Sequence, residues 1–196
     1  MSLSERPFND LLKAFRSPEP TPGGGSASAL AGAVGASLLA MVAALGKSRA
    51  GSDEERGRLH AAGERCAALS DRLSALMDDD TAAYDAVVGA FKLPKSTDAE
   101  KSARGIHIQE ALRGATEVPV EVMRACAEAL QQGTVVVEFG NANASSDTQV
   151  GLELLRAGLR GAKLNVDINL ATLKDAAYVT AVRDESDRLA HTAAHT

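Results

Sequence analysis

The feature that most constrains this chain is the stretch from Ala27 to Leu45, which contains no charged residue. Its length approaches that of a membrane span. However, it consists mainly of Ala, Gly and Ser, which favour membrane insertion far less than Leu, Ile or Phe. A helix that is apolar on all sides is otherwise the enclosed central helix of a soluble bundle. We therefore predict a buried central helix surrounded by other helices, and no membrane anchor.

The composition favours closely packed helices. Hydrophobic residues make up 45% of the 196-residue chain but aromatic residues only 3%, and there is no Trp. Small side chains let helix axes approach closely, and the length suffices for one domain with a sizeable core. The net charge of −5, with acids and bases mixed along the chain, argues against a nucleic-acid-binding protein, which would present a basic face.

The cysteines and histidines do not have the spacing of a metal site or a disulfide framework. Cys66 and Cys126 are isolated in the sequence, so we expect them to be small buried residues in a reducing compartment. The four histidines also lack the spacing of zinc ligands. The segment from Met1 to Asp10 is too polar for a secretory signal, so the expected location is the cytoplasm.

Helix start and stop signals predict an all-α fold, with about six helices and no sheet, in one domain spanning residues 1–196. The expected helices cover about residues 7–16, from within 21–26 to 45, 53–91, 98–132, 146–170 and 173–189. Capping signatures precede the third, fourth and fifth of these helices, at Ser52, Thr97 and Ser146. Pro119 is expected to bend the fourth helix, because proline removes a hydrogen-bond donor. The tail, residues 190–196, is expected to be loose, and the Val135–Val137 run to be a helical or extended connection.

One carboxylate of the third helix lies where an apolar residue is expected. Steps of three and four residues define one face of an α-helix, and this face carries Leu69, Leu73, Leu76, Asp80, Tyr84, Val87 and Phe91. A carboxylate on a core-facing stripe is unfavourable unless it is paired or functional. Asp80 is therefore a candidate functional group. It could also be a surface acid at a bend in the stripe, or a buried acid bonded to Tyr84 or an arginine.

Two polar segments and one helix face could bind a ligand. The glycine-rich Pro22–Ser26 leads into the second helix, whose first N–H groups favour anions, although it could simply be a flexible start to a tightly packed helix. Gly140–Asp147 is rich in amides and hydroxyls, and Asp147 would be stabilised by the dipole of the fifth helix. Asn165 and Asn169 share a face of that helix, which could line a pocket or form a subunit contact.

These segments resemble the cyclodeaminase/cyclohydrolase family, which comprises formiminotetrahydrofolate cyclodeaminases and methenyltetrahydrofolate cyclohydrolases. The likeness spans about residues 8–189 and includes several motifs in the family's order. The motifs are Thr21-Pro22-Gly23-Gly24-Gly25-Ser26, Asp78-x-Asp80-x3-Tyr84 leading to Leu93-Pro94-Lys95, Val118-Pro119, Gly140-Asn141-x4-Ser146-Asp147 and Asn165-Val166-x-Ile168-Asn169.

The resemblance implies a multihelical homodimer with a folate-binding groove near the subunit contact, and Asp80 as the catalytic acid. A carboxylate beside the cationic methenyl bridge between N5 and N10 would stabilise the cation and could relay a proton. Tyr84 is also expected to bind substrate. The turn of Gly23, Gly24, Gly25 and Ser26 is expected to contact the glutamate tail or the pterin. Lys95 and Arg104 are assigned to the glutamate tail, and Asn141, Asn143 and Asp147 to the pterin edge.

Two reactions fit this resemblance. A cyclohydrolase adds water to the bridging carbon and opens the ring to 10-formyltetrahydrofolate, whereas in a cyclodeaminase N10 attacks the formimino carbon and ammonia leaves. The chain carries no formiminotransferase domain, and the segment from Leu93 to Leu112 looks closest to the cyclohydrolase branch. We therefore predict methenyltetrahydrofolate cyclohydrolase, with cyclodeaminase, or a non-catalytic folate-binding helical dimer, as alternatives. Neither reaction needs a metal or another cofactor.

Overall fold

The computed structural model describes residues 2–195 of the chain, and within them the fold is all-α: 82% helical, with six α-helices and no strand. The all-α fold predicted from the sequence is confirmed. The helices are α1 (Phe8–Phe15), α2 (Gly24–Ala44), α3 (Asp53–Phe91), α4 (Asp98–Phe139), α5 (Ser145–Leu170) and α6 (Ala176–His195), with a short 3-10 turn at Ala142–Ala144 before α5.

The two long helices, α3 and α4, begin at the predicted capping boxes. The Ser52 hydroxyl accepts a hydrogen bond from the Glu55 N–H at 3.2 Å, and the Glu55 carboxylate accepts one from the Ser52 N–H at 3.1 Å. The N–H groups of Gly51 and Ser52 lower the pKa of Glu55 because they stabilise its charged form. Thr97 and Glu100 repeat the arrangement at α4. Local side-chain chemistry therefore sets where both helices start.

Three helix boundaries differ from the sequence-based expectation. The predicted cap at Ser146 is wrong, because the 3-10 turn leads directly into α5 and places Ser146 inside the helix. The Val135–Val137 run continues α4, with Val136 buried in the core. Residues 190–195 of the supposedly loose tail extend α6, because Ala193 is also part of the core. Residue 196 lies outside the described residues.

The central helix is α2, which packs against α3, α4 and α5. It runs antiparallel to α5, since Gly24 lies near Asn165 while Gly35 lies near Gly151. A Cβ on Gly35 would lie 2.6 Å from the Gly151 carbonyl oxygen, so this crossing requires glycine. The small residues of α2 thus bring two backbones into contact, as the composition predicted.

One face of α2 is not covered by the other helices of the chain. Val34 is 44% exposed and Met41 is 39% exposed. With 21 residues, including an 18-residue window of mean hydropathy 1.9, α2 also has the length and composition of a membrane span. Its other face lies at the centre of the bundle, where Ala29, Ala36 and Leu39 are fully buried.

Candidate active site

A cleft opens at the N-terminal end of α2, where this end meets the C-terminal third of α3, the first half of α4 and the C-terminal part of α5. Its volume is about 320 Å³, which is within the range of small-ligand sites. The lining residues are Pro20, Thr21, Gly23, Gly24, Gly25, Asp80, Ala83, Tyr84, Val87, Leu112, Ala115, Asn165 and Asn169. The cleft therefore includes Asp80, Tyr84 and the glycines of the predicted substrate-binding turn.

Asp80 is bound to the first turn of α2. One carboxylate oxygen, Oδ2, accepts hydrogen bonds from both the N–H and the hydroxyl of Ser26, each at 2.8 Å. The Ser26 N–H is among the first N–H groups of the helix, which have no partner within the helix. A carboxylate at this end is also stabilised by the helix dipole. The start of α2 thus holds the Asp80 carboxylate in a fixed orientation.

The second carboxylate oxygen of Asp80, Oδ1, lies beside Gly25. A Cβ on Gly25 would lie 2.6 Å from Asp80 Cγ, so any side chain here would displace the carboxylate. Among the described residues, no group donates a hydrogen bond to Oδ1, in contrast to Oδ2. The site therefore offers one fixed oxygen and one free oxygen, which can accept a proton or stabilise a neighbouring cation.

Ser26, which was predicted to contact substrate, is fully buried. Its hydroxyl faces Asp80 Oδ2 and also lies 3.2 Å from the carbonyl oxygen of Met77. The structure therefore places Ser26 behind Asp80 as a positioning residue, and the predicted substrate contact of Ser26 stays a prediction. The sequence could not indicate this pairing, because the two residues are separated by 54 positions.

Two amide side chains of α5 also line the cleft. Asn165 and Asn169 were noted as an unusual face of the fifth helix, but they were not among the predicted site residues. Asn165 Nδ2 donates to the Gly161 carbonyl at 2.9 Å, and Asn169 Nδ2 donates to the Ala115 carbonyl of α4 at 2.9 Å. The sequence signals were their spacing of four residues and the Asn165-Val166-x-Ile168-Asn169 motif, and they left a subunit contact open.

Lys95 and Arg104, predicted at the glutamate tail, do not line this cleft. Lys95 is exposed in the segment between α3 and α4. The Arg104 guanidinium lies 5.5 Å from the Phe91 ring centroid and donates to the Phe91 carbonyl at 2.9 Å. Arg104 therefore satisfies a carbonyl at the end of α3, and its assignment to substrate stays a prediction that the cleft of this chain does not support.

Asn141, Asn143 and Asp147 lie at the other end of α2, roughly 30 Å from the cleft by the length of a 21-residue helix. Asn141 Nδ2 donates to the Gly46 carbonyl at 2.7 Å, and its Oδ1 accepts the Asn143 N–H at 2.9 Å. Asp147 is exposed in the first turn of α5. The structure does not bring these residues to the cleft of the same chain, and their assignment to the pterin stays a prediction.

Both cysteines are buried in the core, as predicted. Burial raises the pKa of the Cys66 thiol and of the Cys126 thiol to about 12, so both are protonated near neutral pH and are poor nucleophiles. Among the residues that the structure describes, there is also no group of three or more His, Cys, Asp or Glu side chains placed to hold a metal ion.

Fold and cleft together define an all-α protein with a small-ligand cleft that contains a fixed carboxylate. Residues 7–188 match the family model described as formiminotransferase-cyclodeaminase. The chain belongs to this family, as the sequence motifs predicted.

The relatives fall into two groups. A methenyltetrahydrofolate cyclohydrolase of Methylorubrum extorquens is 43% identical over 168 residues, which cover 86% of this chain and 81% of the relative. A formimidoyltransferase-cyclodeaminase of Sus scrofa is 32% identical over 96% of this chain, but the chain spans only 35% of its length. The crystal structure of a formiminotetrahydrofolate cyclodeaminase from Thermotoga maritima superposes with a TM-score of 0.87 at 25% identity, over 99% of this chain and 93% of that one.

Proposed function

We propose that this protein is a methenyltetrahydrofolate cyclohydrolase, an enzyme of one-carbon metabolism that hydrolyses the methenyl bridge of its substrate to give 10-formyltetrahydrofolate. The observation that carries the proposal is Asp80, whose carboxylate lines the cleft with one oxygen bonded to Ser26 and the other free. The identity of 43% to a cyclohydrolase along most of both chains supports the choice of reaction.

The free oxygen of Asp80 can serve the reaction in two ways. The substrate carries a positive charge on the N5–CH–N10 bridge, and an anion fixed beside the bridge stabilises that charge as the substrate binds. When water adds to the bridging carbon, Asp80 Oδ1 accepts the proton that the water loses. The carbon–N5 bond of the adduct then breaks, the adduct's hydroxyl proton passes to N5, the formyl group remains on N10, and Asp80 releases its proton to solvent.

Ser26 keeps Asp80 in this role. Its N–H and hydroxyl hold Oδ2, so the carboxylate cannot rotate without losing two hydrogen bonds at the start of α2. A prealigned base needs less reorganisation when the charge on the substrate changes. The reaction as written needs no metal and no redox cofactor.

Cyclodeaminase is the second candidate, because the solved structure with a TM-score of 0.87 is a formiminotetrahydrofolate cyclodeaminase. In that reaction N10 attacks the formimino carbon and the amino group leaves as ammonia. Asp80 would then transfer the N10 proton to the leaving nitrogen. A folate-binding protein without turnover is the alternative of a different class.

The active form is proposed to be a cytoplasmic homodimer. Besides the exposed face of α2, α5 exposes Leu164 to 66% and Ile168 to 69%. Both residues lie on the helix that carries Asn165 and Asn169, so a contact through this face would border the cleft. Apolar side chains in a row are typical of an interface between subunits.

Two assays on the purified protein separate the three functions. A cyclohydrolase accelerates the loss of the methenyl absorbance, whereas a cyclodeaminase releases ammonia from formiminotetrahydrofolate. We expect acceleration in the first assay and little ammonia in the second. Ammonia release above the uncatalysed rate would favour the cyclodeaminase, and no acceleration in either assay would leave the folate-binding protein.

A further inference from the structure

Pro119 interrupts the hydrogen-bond ladder of α4 at the wall of the cleft. Because proline has no N–H, the carbonyl of Ala115, four residues earlier, has no α-helical donor at position 119. The side chain of Asn169 on α5 donates to this carbonyl instead, with 2.9 Å between Nδ2 and the oxygen. A carbonyl released by proline thus anchors a cleft residue of a neighbouring helix.

This anchor orients the Asn169 amide. Since Nδ2 is held by the Ala115 carbonyl, the acceptor Oδ1 is directed away from it. Asn169 lines the cleft, and within residues 2–195 no donor to its Oδ1 is found. Asn165, one turn earlier, has its own Nδ2 bound to the Gly161 carbonyl in the same way. In both amides one N–H of Nδ2 is bound to a carbonyl, so Oδ1 remains available as an acceptor and the second N–H remains available as a donor.

The cleft is consequently rich in hydrogen-bond acceptors. The free Oδ1 of Asp80 faces the same cavity as the two amides, and none of the lining residues in the described part of the chain is Lys or Arg. Such a surface suits a ligand edge that donates N–H groups. The reduced pterin ring of a folate has such donors at N3, at N8 and at the 2-amino group.

We propose that Asn169 is a specificity-determining residue whose Oδ1 accepts a hydrogen bond from an N–H of the pterin ring. Pro119 is its positioning residue, because it keeps the Ala115 carbonyl available for the Asn169 amide. This inference rests on the proposed folate substrate. It specifies that Asn169 of α5 recognises the pterin ring of that substrate.

The test measures equilibrium binding, which is independent of turnover. The ligands are tetrahydrofolate under anaerobic conditions, its 8-deaza analogue with CH2 in place of N8–H, and its 2-methyl analogue without the 2-amino group. We expect Asn169→Leu to raise the Kd of tetrahydrofolate about 10- to 100-fold, the usual effect of losing a buried hydrogen bond. For the analogue that lacks the recognised donor, wild type and Asn169→Leu should bind equally weakly.

Gln109→Leu is the matched control. The Gln109 amide also bridges α4 to the segment after α5, since Nε2 donates to the Thr172 carbonyl at 3.4 Å and Oε1 accepts the Lys174 N–H at 2.8 Å. Gln109 does not line the cleft, so its loss should leave the Kd unchanged. Equal Kd values for wild type and Asn169→Leu, or a similar loss in Gln109→Leu, would overturn the inference. If the proposed function is wrong, the wild-type protein shows no turnover, and this result is separate from the Kd comparison.

Pro119→Ala tests the positioning step. This variant restores an N–H that can bind the Ala115 carbonyl, in competition with Asn169. Affinity for tetrahydrofolate should fall several-fold and discrimination between the analogues should weaken, while the melting temperature rises because alanine suits a helix interior better than proline. Wild-type affinity and discrimination in Pro119→Ala would show that the proline does not orient Asn169.

Discussion

Asp80 and Gly25 depend on each other at the start of α2. The periodicity of α3 was sufficient to single out Asp80, because a carboxylate interrupted an apolar stripe. The need for glycine at position 25 arises only in the fold, where a Cβ would lie 2.6 Å from Asp80 Cγ. Part of the glycine-rich turn therefore provides space for the carboxylate.

Gly25→Ala should displace the Asp80 carboxylate and reduce kcat about 10²-fold, since a misplacement of 1 Å is sufficient for such a loss. The control is Gly89→Ala on α3, the helix that carries Asp80, because a Cβ at Gly89 meets nothing within 4 Å. This control should keep wild-type kcat and gain about 0.5–1 kcal/mol of stability. Steady-state kinetics measures kcat of both variants, and chemical denaturation measures their free energy of unfolding. A wild-type kcat in Gly25→Ala would mean that the carboxylate position is not critical.

The α2–α5 crossing explains why the central helix consists of small residues. At Gly158 of α5, a Cβ would lie 2.7 Å from the Ser28 carbonyl oxygen and 3.0 Å from the Gly32 nitrogen. Both neighbours are backbone atoms, which cannot rotate away as a side chain can. The two helices would have to separate to admit even one methyl group.

Gly158→Ala should therefore lower the free energy of unfolding by about 1–3 kcal/mol, as overpacking of a core typically does. Gly57→Ala, on an open face of α3 with nothing within 4 Å, should instead raise it by about 0.5–1 kcal/mol. Urea denaturation of both variants gives the comparison. Equal stability of the two variants would indicate that the α2–α5 backbones are not in contact.

The helices could be predicted where local chemistry determines them, as at the capping boxes of Ser52 and Thr97. Prediction was less specific where packing dominates. The β-branched run at Val135–Val137 was left open between a helical and an extended connection, and it continues α4, which buries Val136. The sequence predicted that Arg104 binds the glutamate tail. In the fold its guanidinium donates to the Phe91 carbonyl, and this contact depends on how α3 and α4 pack. Likewise, the hydrogen bond from Asn169 of α5 to the Ala115 carbonyl of α4 depends on how two helices pack, which no local pattern encodes.

The whole molecule exposes large apolar side chains on two neighbouring helices, α2 and α5. Val34 and Met41 on α2, and Leu164 and Ile168 on α5, belong to adjacent antiparallel helices. The sequence predicted that α2 would be covered on all sides, and within one chain part of it is open. A second copy that packs on this face would complete the enclosure and would border the cleft.

Purified wild type should therefore sediment as a dimer at micromolar concentration, and Val34→Glu combined with Ile168→Glu should shift it to monomer, because buried unpaired charges are unfavourable. The matched control is Ile106→Glu on α4, a residue that is 58% exposed and lines a separate groove with Leu173 and Tyr178. It should leave the dimer intact. Sedimentation velocity, with circular dichroism to check folding, measures the outcome. A monomeric wild type would contradict the proposed homodimer.

The most direct measurement compares turnover with binding in Asp80→Asn. The amide has nearly the same shape and its oxygen can still accept the Ser26 N–H, so folding and the Kd of tetrahydrofolate, which lacks the cationic bridge, should remain at wild-type values. Turnover of the methenyl substrate should fall about 10²- to 10⁴-fold, the range lost with a general base. Wild-type turnover in a folded Asp80→Asn variant would contradict the catalytic role of this carboxylate.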